Sequence, residues 1–148
     1  MAQQGFSRES SGRFAYGELM KSFFSSRVAS FRYAFHGWFH VFRTQQNVWI
    51  HGVIATIVFI LALWLHLPPR DWAVLILTSG MVFAAEFMNT AIEAVVDLAS
   101  PDKHPLAKIG KDVGAAAVLV AALAAILIGL LILGPPLWAQ LILLITNN

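Results

Sequence analysis

Apolar residues dominate three long stretches of the chain, and polar or helix-breaking residues separate these stretches. The first runs over residues 48–67, the second over about 72–99 and the third over about 106–133. Each is long enough for a helix that crosses a hydrocarbon core, which needs about 20 residues. The pattern therefore predicts three transmembrane helices, with breaks at residues 68–71 and 100–105.

The chain outside these stretches has three other patterns. Residues 19–43 carry apolar side chains at steps of three and four, which predicts an amphipathic helix at the membrane interface, or alternatively a packed helix of the bundle. Residues 1–18 are rich in Ser, Gly and Gln and predict a disordered tail. A membrane domain is thus expected over residues 19–134. The apolar tail, residues 135–148, is too short to span and should lie at the interface or pack back.

Composition supports lipid as the solvent of this fold. Of the 148 residues, 58% are hydrophobic and 12% are charged, about half the usual charged share of roughly 25%. We therefore predict an all-α membrane protein. The net charge of +2 is too small to indicate a nucleic-acid partner, and the absence of cysteine excludes disulfides, thiolate metal sites and cysteine nucleophiles.

Basic residues predict how the chain crosses the membrane. Nine of the ten Lys and Arg residues lie before the first span or within residues 100–112, and only Arg70 lies in the other loop. Basic loops stay in the cytoplasm. The N-terminus and residues 100–112 are therefore expected on the cytoplasmic side of the inner (cytoplasmic) membrane.

The second predicted span carries an acidic stripe, formed by Glu86, Asn89, Glu93 and Asp97. Helical geometry places these residues within an arc of about 80° that rises about 16 Å along the axis. An ionised carboxylate at membrane depth costs at least about 3 kcal/mol. The stripe should therefore face protein, a wet cleft or a second subunit. Buried ion pairs that hold the helices in register are the purely structural alternative.

A group of charged residues is expected at the cytoplasmic end of this stripe: Asp102, Lys103, His104, Lys108, Lys111 and Asp112. Carboxylates together with lysines are suited to Mg²⁺ and phosphates. Glu86 lies deepest in the apolar segment and is the candidate general base for a hydroxyl proton. The phosphate-binding loop and the protein-kinase motifs are both absent from the sequence.

The motif ExxNTAIExxxD at Glu86–Asp97, followed by Lys111 and Asp112, resembles the prokaryotic diacylglycerol kinase and undecaprenol kinase family. The likeness covers Ser30 to Leu133. The stretches HPLAKIGKDVGAAAVLV and TQQN, the latter starting at Thr44, look closer to the undecaprenol kinase branch.

The resemblance implies a homotrimer of three-helix subunits with an N-terminal surface helix. It also implies active sites between subunits, where MgATP gives its γ-phosphate to a lipid hydroxyl of undecaprenol or diacylglycerol. Carried over by position, Glu86 would be the catalytic base, and Glu93 would bind both metal and nucleotide. The other nucleotide-binding residues would be Tyr33, Asn89, Asp97, His104, Lys111 and Asp112.

Two positions depart from the pattern that the resemblance implies. Gln45 stands where well-studied members carry a glutamate that binds metal. An amide oxygen can still coordinate Mg²⁺, but it brings no charge, so Gln45 is a candidate metal ligand beside Glu93. His51 stands where diacylglycerol-type members carry an acid; we expect it to be a packed or interfacial residue. Two functions are alternatives to a lipid kinase: a proton- or cation-conducting oligomer, and a catalytically weakened scaffold of the same fold.

Overall fold

The computed structural model describes the backbone of residues 3–146 and the side chains of Met20, Phe23 and residues 25–146. This part of the chain is helical apart from short connections at residues 45, 65–68 and 100–104, and it contains no strands. Its four helices are α1 (Gln3–Thr44), α2 (Gln46–Trp64), α3 (Pro69–Ala99) and α4 (Pro105–Thr146). The last three are long and apolar enough to cross a membrane. The predicted all-α membrane protein is therefore confirmed.

The first compact unit comprises residues 1–40, and the second comprises residues 41–148. Helix α1 begins at Gln3, whereas the sequence predicted disorder over residues 1–18. The predicted tail contains no proline, so its weak helix formers do not interrupt the backbone hydrogen-bond pattern. Met1 and Ala2 of that tail lie outside the described residues.

Helix α2 ends at Trp64, before the prolines that were expected to stop it. The N–H of Leu67 donates to the carbonyl of Ala62 at 3.1 Å, and that of His66 donates to Leu63 at 3.1 Å. These two bonds form a Schellman motif, which needs a left-handed residue after the helix. His66 fills that position with a φ of 52°.

Helix α3 starts at Pro69, three residues before the predicted start of the span. Proline suits the first helical position because its backbone has no N–H that would need a partner there. The carbonyl of Pro68 accepts hydrogen bonds from the backbone N–H groups of Asp71 at 3.0 Å and Trp72 at 3.3 Å. The two prolines therefore start α3 and leave the end of α2 to the Schellman motif.

Helix α4 continues to Thr146 through Pro135 and Pro136. The prediction that these residues end the helix near residue 133 was wrong. Proline removes one hydrogen bond to the preceding turn, but the neighbouring apolar turns keep theirs, and membrane helices tolerate such interruptions. The last two residues of the predicted tail, 147 and 148, lie outside the described part.

One hydrophobic cluster lies at the end of the bundle that carries the α2–α3 turn. Ala62, Leu75 and Leu133 are its buried residues, one from each helix. Beside it, the rings of Phe59 and Trp72 stack at 5.8 Å. Helix α3 makes most of its contacts with α4 and fewer with α2, so α3 lies at the centre of the bundle.

The other end of the bundle is held by the start of α2. Val48 is fully buried, and the indole N–H of Trp49 donates to the carbonyl of Phe42 at 2.8 Å. The ring of Phe42 also stacks on Phe83 of α3 at 6.5 Å. These contacts fix the beginning of α2 against α3, next to the residues of the acidic stripe.

Candidate functional site

Glu86 is the most deeply buried charged residue of the described chain, with 1% of its surface exposed. Nε2 of His51, on α2, lies 3.2 Å from its Oε1. That oxygen accepts no hydrogen bond in the described structure, so the contact is one of proximity. A single chain therefore buries this carboxylate beside an imidazole, which agrees with the first of the three surroundings that the sequence left open: protein, a wet cleft or a second subunit.

Two amides hold the carboxylate of Glu93. The Nδ2 of Asn89 donates to Oε1 at 3.1 Å, and the Nε2 of Gln45 donates to Oε2 at 3.4 Å. The structure thus brings together the two residues that were predicted to bind metal, Gln45 and Glu93. The Oδ1 of Asn89 is buried and has no hydrogen-bond partner.

Gly114 allows α4 to approach the amide of Asn89 closely. A Cβ atom built at Gly114 would overlap with Oδ1 of Asn89, and it would also touch Ile92. Glycine is the residue that permits such a close approach of backbone to a side chain. The run of small residues Gly114–Ala117 is a pattern that favours tight helix contact, and the contact at Gly114 involves the acidic stripe.

A polar cavity of about 600 Å³ lies where α3 ends and α4 begins. Its charged and titratable lining residues are Asp97, Asp102, Lys103, His104, Lys108, Lys111 and Asp112. We call this the charged cavity. The structure therefore brings Asp97, His104, Lys111 and Asp112 together, as the proposed nucleotide site requires.

Ion pairs within the charged cavity already occupy two of its lysines. Nζ of Lys111 lies 2.5 Å from Oδ1 of Asp97, and Nζ of Lys108 lies 2.5 Å from Oδ2 of Asp112. The Asp97 side chain is 64% exposed, and exposed ion pairs contribute only about 0–1 kcal/mol. A triphosphate can therefore replace Asp97 as the partner of Lys111 at little cost.

Tyr33 belongs to the first unit, residues 1–40. The guanidinium of Arg32 lies over its ring, 5.4 Å from the centroid, and the side chain is 65% exposed. Its contact with a nucleotide stays a prediction.

The donor atoms near Glu93 suit a partly hydrated Mg²⁺. No group of three or more His, Cys, Asp or Glu residues that could hold a metal lies within the described residues. One carboxylate is present instead, and Asn89 and Gln45 face it with their amide nitrogens. Oδ1 of Asn89 lies buried against Gly114. Mg²⁺ is commonly bound through one or two carboxylates plus substrate phosphates and water. The set therefore fits the ion only together with phosphate oxygens.

An apolar groove of about 380 Å³ extends from His51 between α2, α3 and α4. Its walls include Ile54, Val58, Leu75, Val82, Ile126 and Leu130. One polar end and apolar walls suit a ligand that has a polar head and a hydrocarbon chain. Sequence reasoning missed this role of His51, because periodicity shows only which helix face a residue shares.

Comparison with known proteins agrees with this architecture. The family model for prokaryotic diacylglycerol kinase matches residues 32–133. The chain belongs to the prokaryotic diacylglycerol kinase family. Members of this family that resemble it include a Synechocystis sp. diacylglycerol kinase, 46% identical over 116 residues, and a Bacillus subtilis undecaprenol kinase, 41% identical over 108 residues.

The matches cover different fractions of this chain and of each relative. The Synechocystis match covers 78% of this chain and 66% of that protein, and the Bacillus match covers 73% and 88%. The Escherichia coli diacylglycerol kinase is 37% identical over 76 residues, which are 51% of this chain and 62% of that protein. This chain therefore spans less than two thirds of the Synechocystis and Escherichia coli relatives.

We predict that Gly114→Ala destabilises this diacylglycerol kinase family member through Asn89. The new methyl group must displace the Asn89 amide, which should lower the free energy of unfolding by about 1–3 kcal/mol. Unfolding by SDS in mixed micelles measures this change. Gly129→Ala is the control, since a Cβ there meets nothing within 4 Å.

A second substitution tests the cause. Asn89→Ala removes the overlapping oxygen. In the Asn89→Ala background, Gly114→Ala should therefore lower the free energy of unfolding much less than it does in the unmodified chain. Equal costs in both backgrounds would show that the Asn89 amide is not what Gly114 accommodates.

Proposed function

We propose that this protein transfers the γ-phosphate of ATP, in the presence of Mg²⁺, to the hydroxyl of a membrane lipid. The observation that carries the proposal is the arrangement along one face of α3, from the buried Glu86–His51 contact to the charged cavity at Asp97. The lipid is diacylglycerol or undecaprenol, the two alcohols after which its relatives are named.

The proposed site lies at the cytoplasmic surface of the inner membrane. The distribution of Lys and Arg supports this orientation, since the charged cavity includes the basic segment at residues 100–112. We further propose a homotrimer. Many apolar side chains of the described spans are exposed in one chain, so both lipid and subunit contacts have surface available.

Glu86 accepts the proton of the lipid hydroxyl in the proposed reaction. The polar end of the apolar groove, at His51, would place the hydroxyl near the carboxylate while the hydrocarbon chain follows the groove walls. His51 is the group within ion-pair distance of that carboxylate in the described chain, and its imidazole would orient the carboxylate for the reaction. His51 would thus be a positioning residue that acts through Glu86.

The nucleotide is proposed to occupy the charged cavity. Lys111 would leave Asp97 and bind phosphate, while His104 and Asp112 line the same cavity. Glu93 would hold Mg²⁺ by its carboxylate, and the amides of Asn89 and Gln45 would turn to present their oxygens to the ion. When bound, Mg²⁺ neutralises charge on the phosphates. Phosphoryl transfer depends mostly on such positioning and charge stabilisation.

The first test of this proposal replaces the base. Glu86→Gln keeps the size of the side chain but cannot accept the hydroxyl proton, so turnover should fall by about 100-fold to 10,000-fold. The assay follows labelled phosphate from γ-labelled ATP into extracted lipid. The variant should unfold in SDS like the unmodified protein. Full activity of a folded Glu86→Gln protein would end the assignment of Glu86 as base.

Replacing His51 tests its coupling to Glu86. His51→Leu removes the partner of a buried carboxylate and should reduce kcat strongly. His51→Gln keeps a polar N–H group at this position and should reduce kcat less. The KM for ATP should stay unchanged in both. In the Glu86→Gln background, His51→Leu should cause little further loss of kcat. If the two losses simply multiply, His51 acts independently of Glu86.

Changing Gln45 tests the metal assignment. Gln45→Glu places a second carboxylate beside Glu93, so the Mg²⁺ concentration that gives half-maximal activity should fall by about tenfold, the effect of roughly 1.4 kcal/mol. The exposed neighbouring change Gln46→Glu is the matched control and should leave this concentration unchanged. Inactivity of both the unmodified protein and Gln45→Glu would instead support the weakened scaffold.

A further inference from the structure

Helix α4 is longer than the bundle in which it packs. Its packed section runs from Gly114, which meets Asn89, to Leu137, which packs against the buried cluster of Ala62, Leu75 and Leu133. At 1.5 Å per residue this section is about 35 Å long. It is therefore already long enough to cross a hydrocarbon core of about 30 Å, and the rest of α4 is surplus to the span.

The surplus cannot be accommodated by tilting the helix. Thr146 lies about 20 Å beyond Leu133 along the axis, and the uncharged part of α4 after Asp112 is about 50 Å long. Fitting that length into a core of about 30 Å requires a tilt above about 50°, outside the observed range of about 0–40°. Packing of α4 along α3 also fixes its direction. The end of α4 must therefore leave the thickness that the bundle defines.

The surplus segment has no surface suited to water. Every residue of Trp138–Thr146 is exposed, and no charged residue follows Asp112 in the sequence. Its apolar side chains point in all directions around the helix, and Gln140 is the one polar residue before Thr146. A partner helix would cover one side of this segment and leave the others in water. Lipid can cover all of them, and burial from water stabilises by about 25 cal/mol per Å².

The last turn of the packed section contains Pro135 and Pro136, and we call these two residues the joint. Pro135 and Pro136 have no N–H, so the carbonyls of Leu131 and Ile132 lose their helical donors. Adjacent missing hydrogen bonds lower the resistance of a helix to bending. Trp138 follows the joint at once, and tryptophan favours the boundary between lipid and water.

We propose that the segment Trp138–Thr146 bends at Pro135 and Pro136 and lies in the lipid of the membrane face opposite the charged cavity. The segment is then a lipid-embedded anchor that follows the third span. It lies beyond residues 32–133, which the family model matches. The inference rests on helix length, charge and burial, and it holds whether or not the protein is a kinase.

The absence of cysteine makes this proposal directly measurable. Ile142→Cys carries a fluorescent label in the anchor. Leu127→Cys carries it at an exposed position in the middle of the span. Arg70→Cys carries it at the start of α3, on the same side of the membrane as the anchor. The labelled proteins are placed in vesicles that contain brominated lipid, or in plain vesicles with aqueous iodide on both sides. Bromine should quench most of the fluorescence at Ile142→Cys and Leu127→Cys, whereas iodide should quench Arg70→Cys.

Two results would overturn the proposal. Iodide quenching of Ile142→Cys equal to that of Arg70→Cys would place the segment in water. Efficient disulfide formation between unlabelled Ile142→Cys chains would show that copies of the segment cover one another. As a test of the joint, Pro135→Ala together with Pro136→Ala restores two backbone donors and should reduce bromine quenching at residue 142. Unchanged quenching would show that the prolines do not direct the segment into lipid.

Discussion

The structure depends on keeping one carboxylate, that of Glu86, inside an apolar helical bundle. A buried charge without a partner is strongly unfavourable, so the helices around α3 must supply one. Helix α2 supplies His51 at 3.2 Å from the carboxylate. The same constraint explains why the start of α2 is fixed firmly, by the buried Val48 and the hydrogen bond from Trp49 to Phe42. Small displacements of α2 would separate the imidazole from Glu86.

Along α3 the polar side chains pass gradually from buried to exposed. Glu86 is 1% exposed and Asn89 is 7% exposed, Glu93 is half-buried between two amides, and Asp97 reaches the charged cavity. This gradient agrees with the proposed site, in which an alcohol in the membrane meets a nucleotide that arrives from the water. Oδ1 of Asn89 is buried and accepts no hydrogen bond in the described structure, which a set of register-fixing ion pairs does not explain.

Helical periodicity predicted the acidic stripe because residues three and four apart share a face whatever surrounds the helix. It could not predict His51 beside Glu86, since that contact depends on the axial register between α2 and α3. The close approach at Gly114 was indicated only as a run of small residues. Helix ends were the weakest predictions. His66 ends α2 by adopting a left-handed conformation that sequence pattern rarely assigns to histidine, and α4 passes through two prolines because its neighbouring turns stay bonded.

Transfer of labelled phosphate by the unmodified protein tests the central claim most directly. Vesicles would contain the full chain with diacylglycerol, undecaprenol or neither, and γ-labelled ATP would be added with or without Mg²⁺. The account predicts label in the extracted lipid only when both an alcohol and Mg²⁺ are present. Absence of label with every alcohol, together with proton or cation flux in vesicles without ATP, would contradict it.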